Sequence, residues 1–304
     1  MNRFAIAVFA GVSTVLLGAA QQFQPGNPAP NFAAAEVKTT NLGSQTYLLQ
    51  GEGANVVVAV GNDGLIMIDT QFAEMNDKLA AAVEAISPRP VRHIILTHFH
   101  RDHTGGNAFF AARGANIVAH EAVKTRLAAG TTNGLTGNVM AAYPEAGLPK
   151  QTYNNAGVMI RQGGRVAEVK HVVGHTDGDS YVYFRDANVL VTGDIVTLGR
   201  YPNIDVPYGG GIDRMIEGVD VILAAGNDNS KVVPGHGPLG SKDRVVEYRQ
   251  VLVQARERIA KLIAEGKSED EAVAARPNAD NDAKLGVTPQ QAGNFVRVVY
   301  RSLK

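Results

Sequence analysis

No cysteine occurs among the 304 residues. That excludes disulfides and thiolate metal ligands, so the chain must be held by its apolar core together with any bound metal. Neither sign of charge is in excess: 29 Lys and Arg balance 29 Asp and Glu, which leaves no basic surface to recruit nucleic acid or a membrane. Long apolar runs are missing as well. The opening MNRFAIAVFAGVSTVLLGAAQQ has a basic start at Arg3, an apolar run from Phe4 to Leu17 and small residues up to Ala20. This run falls short of the ~20 residues of a spanning helix and matches a secretory signal peptide over 1–20. The expectation is export, to the periplasm, with no stable membrane anchor after cleavage. Residues 21–35, with their Pro, Gly and Asn, read as a flexible leader. Fixed-period repeats and low-complexity tracts are absent too.

What is present reads as a globular chain, 45% hydrophobic and 19% charged. TYLLQ, ANVVVAVG and LIMIDT have strand character and suggest hairpins of one sheet. Met75, Leu79, Val83 and Ile86 then recur on one helical face, closed by Pro88 and Pro90. VRHIILT is a buried strand, ANIVAH another, and EAVKTRLAA a helix, so helices cover sheet faces. Residues 130–157 mix Gly, Asn, Thr and Pro without a period and read as a long loop. Further strands run through RVAEVKHVVG, DSYVYF, NVLVTGD and KVVPGHGP. Val245, Tyr248, Leu252, Ala255, Ile259 and Leu262 predict an amphipathic helix. The fold class is α/β, with a core over 36–265 and a helical extension over 266–304. Ser268 with Glu271, and Thr288 with Pro289 and Gln291, mark helix starts in that extension. Its helices could pack on their own domain or on a partner subunit.

The chemistry concentrates in THFHRDH, where His98, His100, Asp102 and His103 occupy six positions. His98 and His100, two apart beyond a strand end, can point the same way, while Asp102 and His103 sit on the following turn. So many donors cost solvation and mutual repulsion unless a cation binds them. His175 in GHTDGDS, Asp194 in TGD and His236 in PGHG each stand beside glycine at a strand end. Together these residues fit seven ligands shared by two metals, two Zn2+ in the first instance, with Fe or Mn also compatible. His93, His120 and His171 lack such company, although His171, four residues before His175, is a rival for its place.

The motif order THFHRDH, GHTDGDS, TGD, PGHG resembles the metallo-β-lactamase superfamily from about Val37 to Leu262. The resemblance implies a four-layer αββα sandwich with a two-metal site between its sheets. It implies further that His98, His100 and His175 hold one metal, Asp102, His103 and His236 the other, and that Asp194 bridges. By the same resemblance Asp102 is catalytic, orienting a metal-bridging hydroxide and carrying its proton. THFH.DH.GGN and VVPGHG.LG.KD look like the secreted B1 β-lactamases, but those carry a cysteine where Asp194 stands, lack the histidine at His103, and have a lysine where Thr197 stands. The Asp194 and His103 pattern is similar instead to hydroxyacylglutathione (glyoxalase II-type) and lactone hydrolases. The implied activity is a dinuclear zinc hydrolase acting on a small activated acyl compound, whether β-lactam, lactone or thioester. Arg200, Tyr201 and Tyr208 in GRYPNIDVPYGGG are candidate substrate contacts, with the GEGAN turn and the 130–157 segment beside them. Two alternatives stay open: a persulfide dioxygenase with one iron, and a non-enzymatic exported metal-binding protein with a closed site.

Overall fold

The first sheet is built where apolar side chains alternate between two buried faces. The structure, a computed structural model, describes residues 30–304; the signal-peptide expectation and most of the leader lie outside the described residues. Strands β1 (Lys38–Gly43), β2 (Thr46–Gln50), β3 (Val56–Val60) and β4 (Leu65–Ile68) follow one another antiparallel. In β4, Leu65 and Met67 face one layer and Ile66 and Ile68 the other, as a period of two requires. Helix α1 (Asn76–Ile86) buries Leu79 and Val83 and stops before Pro88. The chain returns as β5 (Val91–Ile95), parallel to β4, then passes through the short helices α2 (Arg101–Thr104) and α3 (Asn107–Ala111). β6 (Asn116–His120) adds parallel to β5, and α4 (Glu121–Ala129) follows it.

The 130–157 segment is more ordered than a loop. β7 (Thr131–Thr132) and β8 (Val139–Met140) form a hairpin, and β9 (Gln151–Tyr153) extends the first sheet beside β6. Strands of two or three residues are too short to show a period. The hairpin tip is organised instead by Asn133, whose Oδ1 accepts from the Leu135 and Thr136 amides and the Thr136 hydroxyl.

The second sheet comprises β10 (Val158–Gln162), β11 (Arg165–His171), β12 (Ser180–Phe184) and β13 (Val189–Val191), all antiparallel. α5 (Ile212–Ala224) then crosses to β14 (Lys231–Val233), which lies parallel to β13. Ile66, Ile68, Ile95 and Val118 of the first sheet pack against Val169, Val182, Phe184 and Val189 of the second. α1, α3 and α4 cover the outer face of the first sheet through Leu79, Phe110, Val123 and Leu127. α5 and α6 (Lys242–Ala264) cover the second through Met215, Val219, Val245 and Leu252. The layers therefore run α, β, β, α, and each fully buried aliphatic or Phe side chain contributes roughly 1.5–3 kcal/mol of transfer free energy.

Three helices complete the chain: α7 (Glu269–Ala274), α8 (Ala279–Leu285) and α9 (Pro289–Ser302). The expected capping boxes form at Ser268 and Thr288. Phe295, Val296, Val298 and Val299 of α9 enter the same cluster as α5 and α6, so the extension packs on its own chain.

Candidate metal centre

Parallel pairing places the ends of β4 and β5 on one edge of the first sheet and those of β13 and β14 on the facing edge of the second. Every candidate ligand is carried by the segments leaving those ends or by the β11–β12 connection. Asp69, directly after β4, ties the edge together: its Oδ1 accepts from the Thr97 amide at 2.8 Å and its Oδ2 from the Thr97 hydroxyl at 2.7 Å. The turn that carries His98 to His103 then packs tightly over residues 70–73. A Cβ at Gly105 would collide with backbone atoms of Gln71, Phe72 and Ala73, so the glycine is what permits this close approach.

Seven side chains converge. His98 Nε2 lies 3.2 Å from His100 Nδ1, and His175 Nε2 lies 2.8 Å from that same Nδ1. His103 Nε2 is 3.2 Å from Asp194 Oδ1, and His236 Nε2 is 3.0 Å from Asp102 Oδ2 and 3.5 Å from Asp194 Oδ1. Asp194 Oδ2 reaches toward His175 at 3.8 Å. The donor atoms group as His98–His100–His175, His98–His103–Asp194 and Asp102–His103–His236, each set within 4.8 Å.

Protons decide what these contacts mean. The other ring nitrogen of each of four histidines already has a partner. His98 Nδ1 faces the Thr97 hydroxyl at 3.1 Å, and that hydroxyl donates to Asp69 and so accepts from the ring. His100 Nε2 donates to Asp205 at 2.9 Å, His175 Nδ1 to the Asn203 carbonyl at 2.7 Å and His103 Nδ1 to Asp69 at 2.7 Å. In the neutral tautomers that these outward bonds select, the converging nitrogens are bare lone pairs facing one another and a carboxylate. Buried His103 Nε2 and Asp194 Oδ1 have no hydrogen-bond partner, which isolated polar atoms avoid. A cation among them satisfies every one, and imidazole with carboxylate suits zinc, iron or manganese. The outward hydrogen bonds are the orienting contacts that metal-binding histidines make.

The titration of the metal-free ring follows from the same geometry. Burial, helped by neighbouring histidines, lowers the His98 pKa well below its ordinary value and holds His175 at about 4. At His103 burial also disfavours the charge, but Asp69, Asp194 and Asp102 outweigh it and raise the pKa well above the ordinary value. At His100 burial is likewise overcome, mainly by Asp205. At these two rings protons compete with metal for the same nitrogens. Zinc affinity is therefore expected to fall between about tenfold and a hundredfold per pH unit on acidification. Competition titrations against a chelating dye at two pH values measure this; a pH-independent affinity would contradict it.

The ring opens into a cleft of about 350 Å³, lined by Glu52, Phe72, Arg101, Asp102, Arg200, Asn203 and the hairpin residues Thr131, Asn133 and Asn138. An accessible site of this size runs against a closed, purely structural metal site. Of the candidate substrate contacts, Arg200 lines the cleft. Tyr201 does not: its hydroxyl donates to Asp282 at 2.7 Å and its ring stacks on Phe295 at 4.0 Å, turning it toward the C-terminal helices. Tyr208 does not line the cleft either; its hydroxyl accepts from the Thr132 amide and its ring packs edge-on to Phe99. His171 is excluded as a rival to His175, being stacked on His120 at 4.0 Å and bonded to the Asp177 carbonyl.

Two orienting carboxylates escaped the sequence reading, Asp69 and Asp205. Asp205 is 3% exposed and reaches His100 from 105 residues away. Asp205→Asn leaves the shape intact but removes the anionic acceptor, and is expected to weaken zinc binding by about 10–100-fold. Metal content after dialysis against graded chelator reads this directly.

Comparison with known proteins places this geometry among relatives. The profile of the metallo-beta-lactamase superfamily matches residues 49–236. Acyl-coenzyme A thioesterase MBLAC2 of Homo sapiens is 27% identical over 222 residues, covering 63% of this chain and 76% of that protein. Hydroxyacylglutathione hydrolase GloC of Haemophilus influenzae is 29% identical over 93 residues, 31% of this chain and 43% of that protein. Among solved structures, the metallo-beta-lactamase from Pontibacter korlensis aligns with a TM-score of 0.59 at 20% identity, covering 72% of this chain and 99% of that one.

Proposed function

The chain belongs to the metallo-β-lactamase superfamily and is a metal-dependent hydrolase; from that premise we propose that it opens activated acyl bonds, thioesters foremost, at a pair of zinc ions. The observation that carries this reading is the ring of seven donors with Asp194 between two groups of three. His98, His100 and His175 would hold one ion, Asp102, His103 and His236 the other. Metal bound there supplies a water of lowered pKa and a Lewis acid for the carbonyl oxygen.

The protein's own groups do the rest. Asp69, Asp205 and the Asn203 carbonyl fix the tautomers and aim the rings. Asp102, whose carboxylate lines the cleft, orients the attacking water and carries its proton to the departing group. Arg200 and Asn203 on the cleft wall position the polar part of the substrate. Thioesters are favoured over lactams and lactones because relatives found by sequence carry thioesterase and hydroxyacylglutathione hydrolase names. The substrate proposed is the acyl–sulfur bond rather than one particular thiol. Periplasmic export is proposed alongside it from the N-terminal pattern, and cell fractionation tests that separately.

Elemental analysis of the purified protein, followed by assays on glutathione and coenzyme A thioesters, a lactone and a β-lactam, tests the reading. Two zinc per chain with thioesters turned over fastest is expected. One iron per chain with sulfur oxidation and no hydrolysis would overturn it, and faster β-lactam turnover would move the substrate class.

A further inference from the structure

A second, smaller cavity adjoins the metal cleft, and its far wall comes from the C-terminal extension. Arg200 and Asn203 line both cavities and so form the boundary between them. Beyond that boundary the wall is mixed: Leu135 from the β7–β8 hairpin, Tyr201, and Phe295 and Val298 from α9 supply an apolar side, and Gln291 and Asn294 of α9 a polar one. The family profile ends at residue 236, so α9 lies outside the residues it matches.

The hairpin and α9 are built as one unit around this space. Arg301 of α9 donates to the Gly134 carbonyl at the hairpin tip at 3.2 Å, and Leu135 packs into the cluster that holds Phe295 and Val298. The stacked Tyr201 and Phe295 rings, with the Tyr201 hydroxyl anchored on buried Asp282, make the wall rigid. Arg101, the other arginine of the main cleft, is paired with Glu74; Arg200 enters no ion pair among the described residues. A cation without an ion-pair partner at the mouth of a pocket with one apolar side, beside a reactive centre, suits an anion with a hydrocarbon end.

We propose that this cavity is a substrate subsite in which Arg200 holds an anionic group and the space between Leu135, Tyr201, Phe295 and Val298 takes a short branched alkyl group. Its volume is about 60 Å³ in a measure where one water needs ~10–15 Å³, which fits about four to six heavy atoms. The inference rests on the hydrolase reading for its link to catalysis, and it narrows the substrate to anionic acyl compounds with a compact apolar end. It also gives the C-terminal helices a role in selection by the active site.

Calorimetric binding to the zinc-loaded protein tests the subsite without turnover, using 4-methylpentanoate, acetate and 4-methylpentanamide as probes. 4-Methylpentanoate is expected to bind at least about tenfold more tightly than either of the others. Val298→Phe fills the pocket from α9 and Leu135→Phe from the surface hairpin; each is expected to erase the alkyl preference. Arg200→Gln is expected to erase the preference for acid over amide. An alkyl preference that survives both filling variants overturns the proposal, as does an acid preference that survives Arg200→Gln and thus belongs to the metal. Binding as expected with no thioester turned over would refute the proposed reaction and leave the subsite standing. Thioester turnover with neither preference would refute the subsite alone.

Discussion

Asp194→Asn is expected to lower kcat/KM by at least about 10³-fold and to drop zinc content from two toward one per chain, with the fold retained. The asparagine is nearly isosteric, so packing around position 194 changes little. What changes is charge and proton placement. Asp194 Oδ1 stands 3.2 Å from His103 Nε2 and 3.5 Å from His236 Nε2, while Oδ2 faces His175. An amide there presents either a neutral oxygen or two N–H groups, and neither replaces the anion that the proposed two-metal site would share. Losing the shared ligand takes away several kcal/mol of charge stabilisation, and each 1.36 kcal/mol is tenfold in rate. The metal-free protein responds too. Burial opposes ionisation of Asp194, yet His236 and His103 hold its carboxyl well below the usual carboxylate range. Its folded-state pKa is depressed, so its contribution to stability is present above the ordinary carboxylate range and fades as pH falls through the depressed value. Tm of the metal-free variant at pH 7 should therefore fall, while the two forms approach each other in strong acid. Full activity with two zinc in Asp194→Asn would remove the bridging role altogether.

The candidate ligands that the structure brings together were legible because their signal is local. His98, His100, Asp102 and His103 sit within six residues, and His175, Asp194 and His236 each stand beside a glycine at a strand end. The groups that aim them were not, since Asp69 and Asp205 meet His103 and His100 across 34 and 105 residues. A trace of Asp69 exists in LIMIDT, where an acid ends an otherwise apolar strand and, once buried, needs partners. Asp205 leaves no such trace, lying in a Gly- and Pro-rich turn without a period. Strands with covering helices could be read from apolar runs and from the repeat of α6 on one face, whereas the four layers came only as what the family resemblance implies. Where Tyr201 and Tyr208 point was not legible, since Asp282 and Phe295 turn Tyr201 into the cavity beside the cleft and Thr132 holds Tyr208 outside it, all distant in sequence. The short strands of the hairpin escaped for the opposite reason, being shorter than any period that could announce them.

Gly235→Ala is expected to cost roughly 10²- to 10³-fold in kcat/KM through a single added methyl group. Gly235, in PGHG, is held on three sides by backbone: its amide donates to the Gly193 carbonyl at 2.8 Å and the Val196 carbonyl at 3.1 Å, and its carbonyl accepts from Asn55. A Cβ built on it would overlap Asp194 Oδ1 and crowd Gly193 C and Asp194 N, at 2.7 and 2.9 Å. Something must move, and the nearest movable group is the Asp194 carboxylate, which in the proposed site two metals would share. A displacement near 1 Å at such a centre suffices for a loss of about 10². Because Gly235 is not among the glycines with positive φ, the penalty is one of space and falls on the site. Gly266→Ala supplies the contrast. It has φ of +78° with nothing within 4 Å of its Cβ, in the turn after α6. There the penalty is conformational, about 1–2 kcal/mol of stability, and kcat/KM should stay unchanged. Thermal unfolding and kinetics on both variants separate the two effects. If Gly235→Ala lost only stability and kept its rate and zinc, the PGHG turn would be serving the fold and not the placement of Asp194.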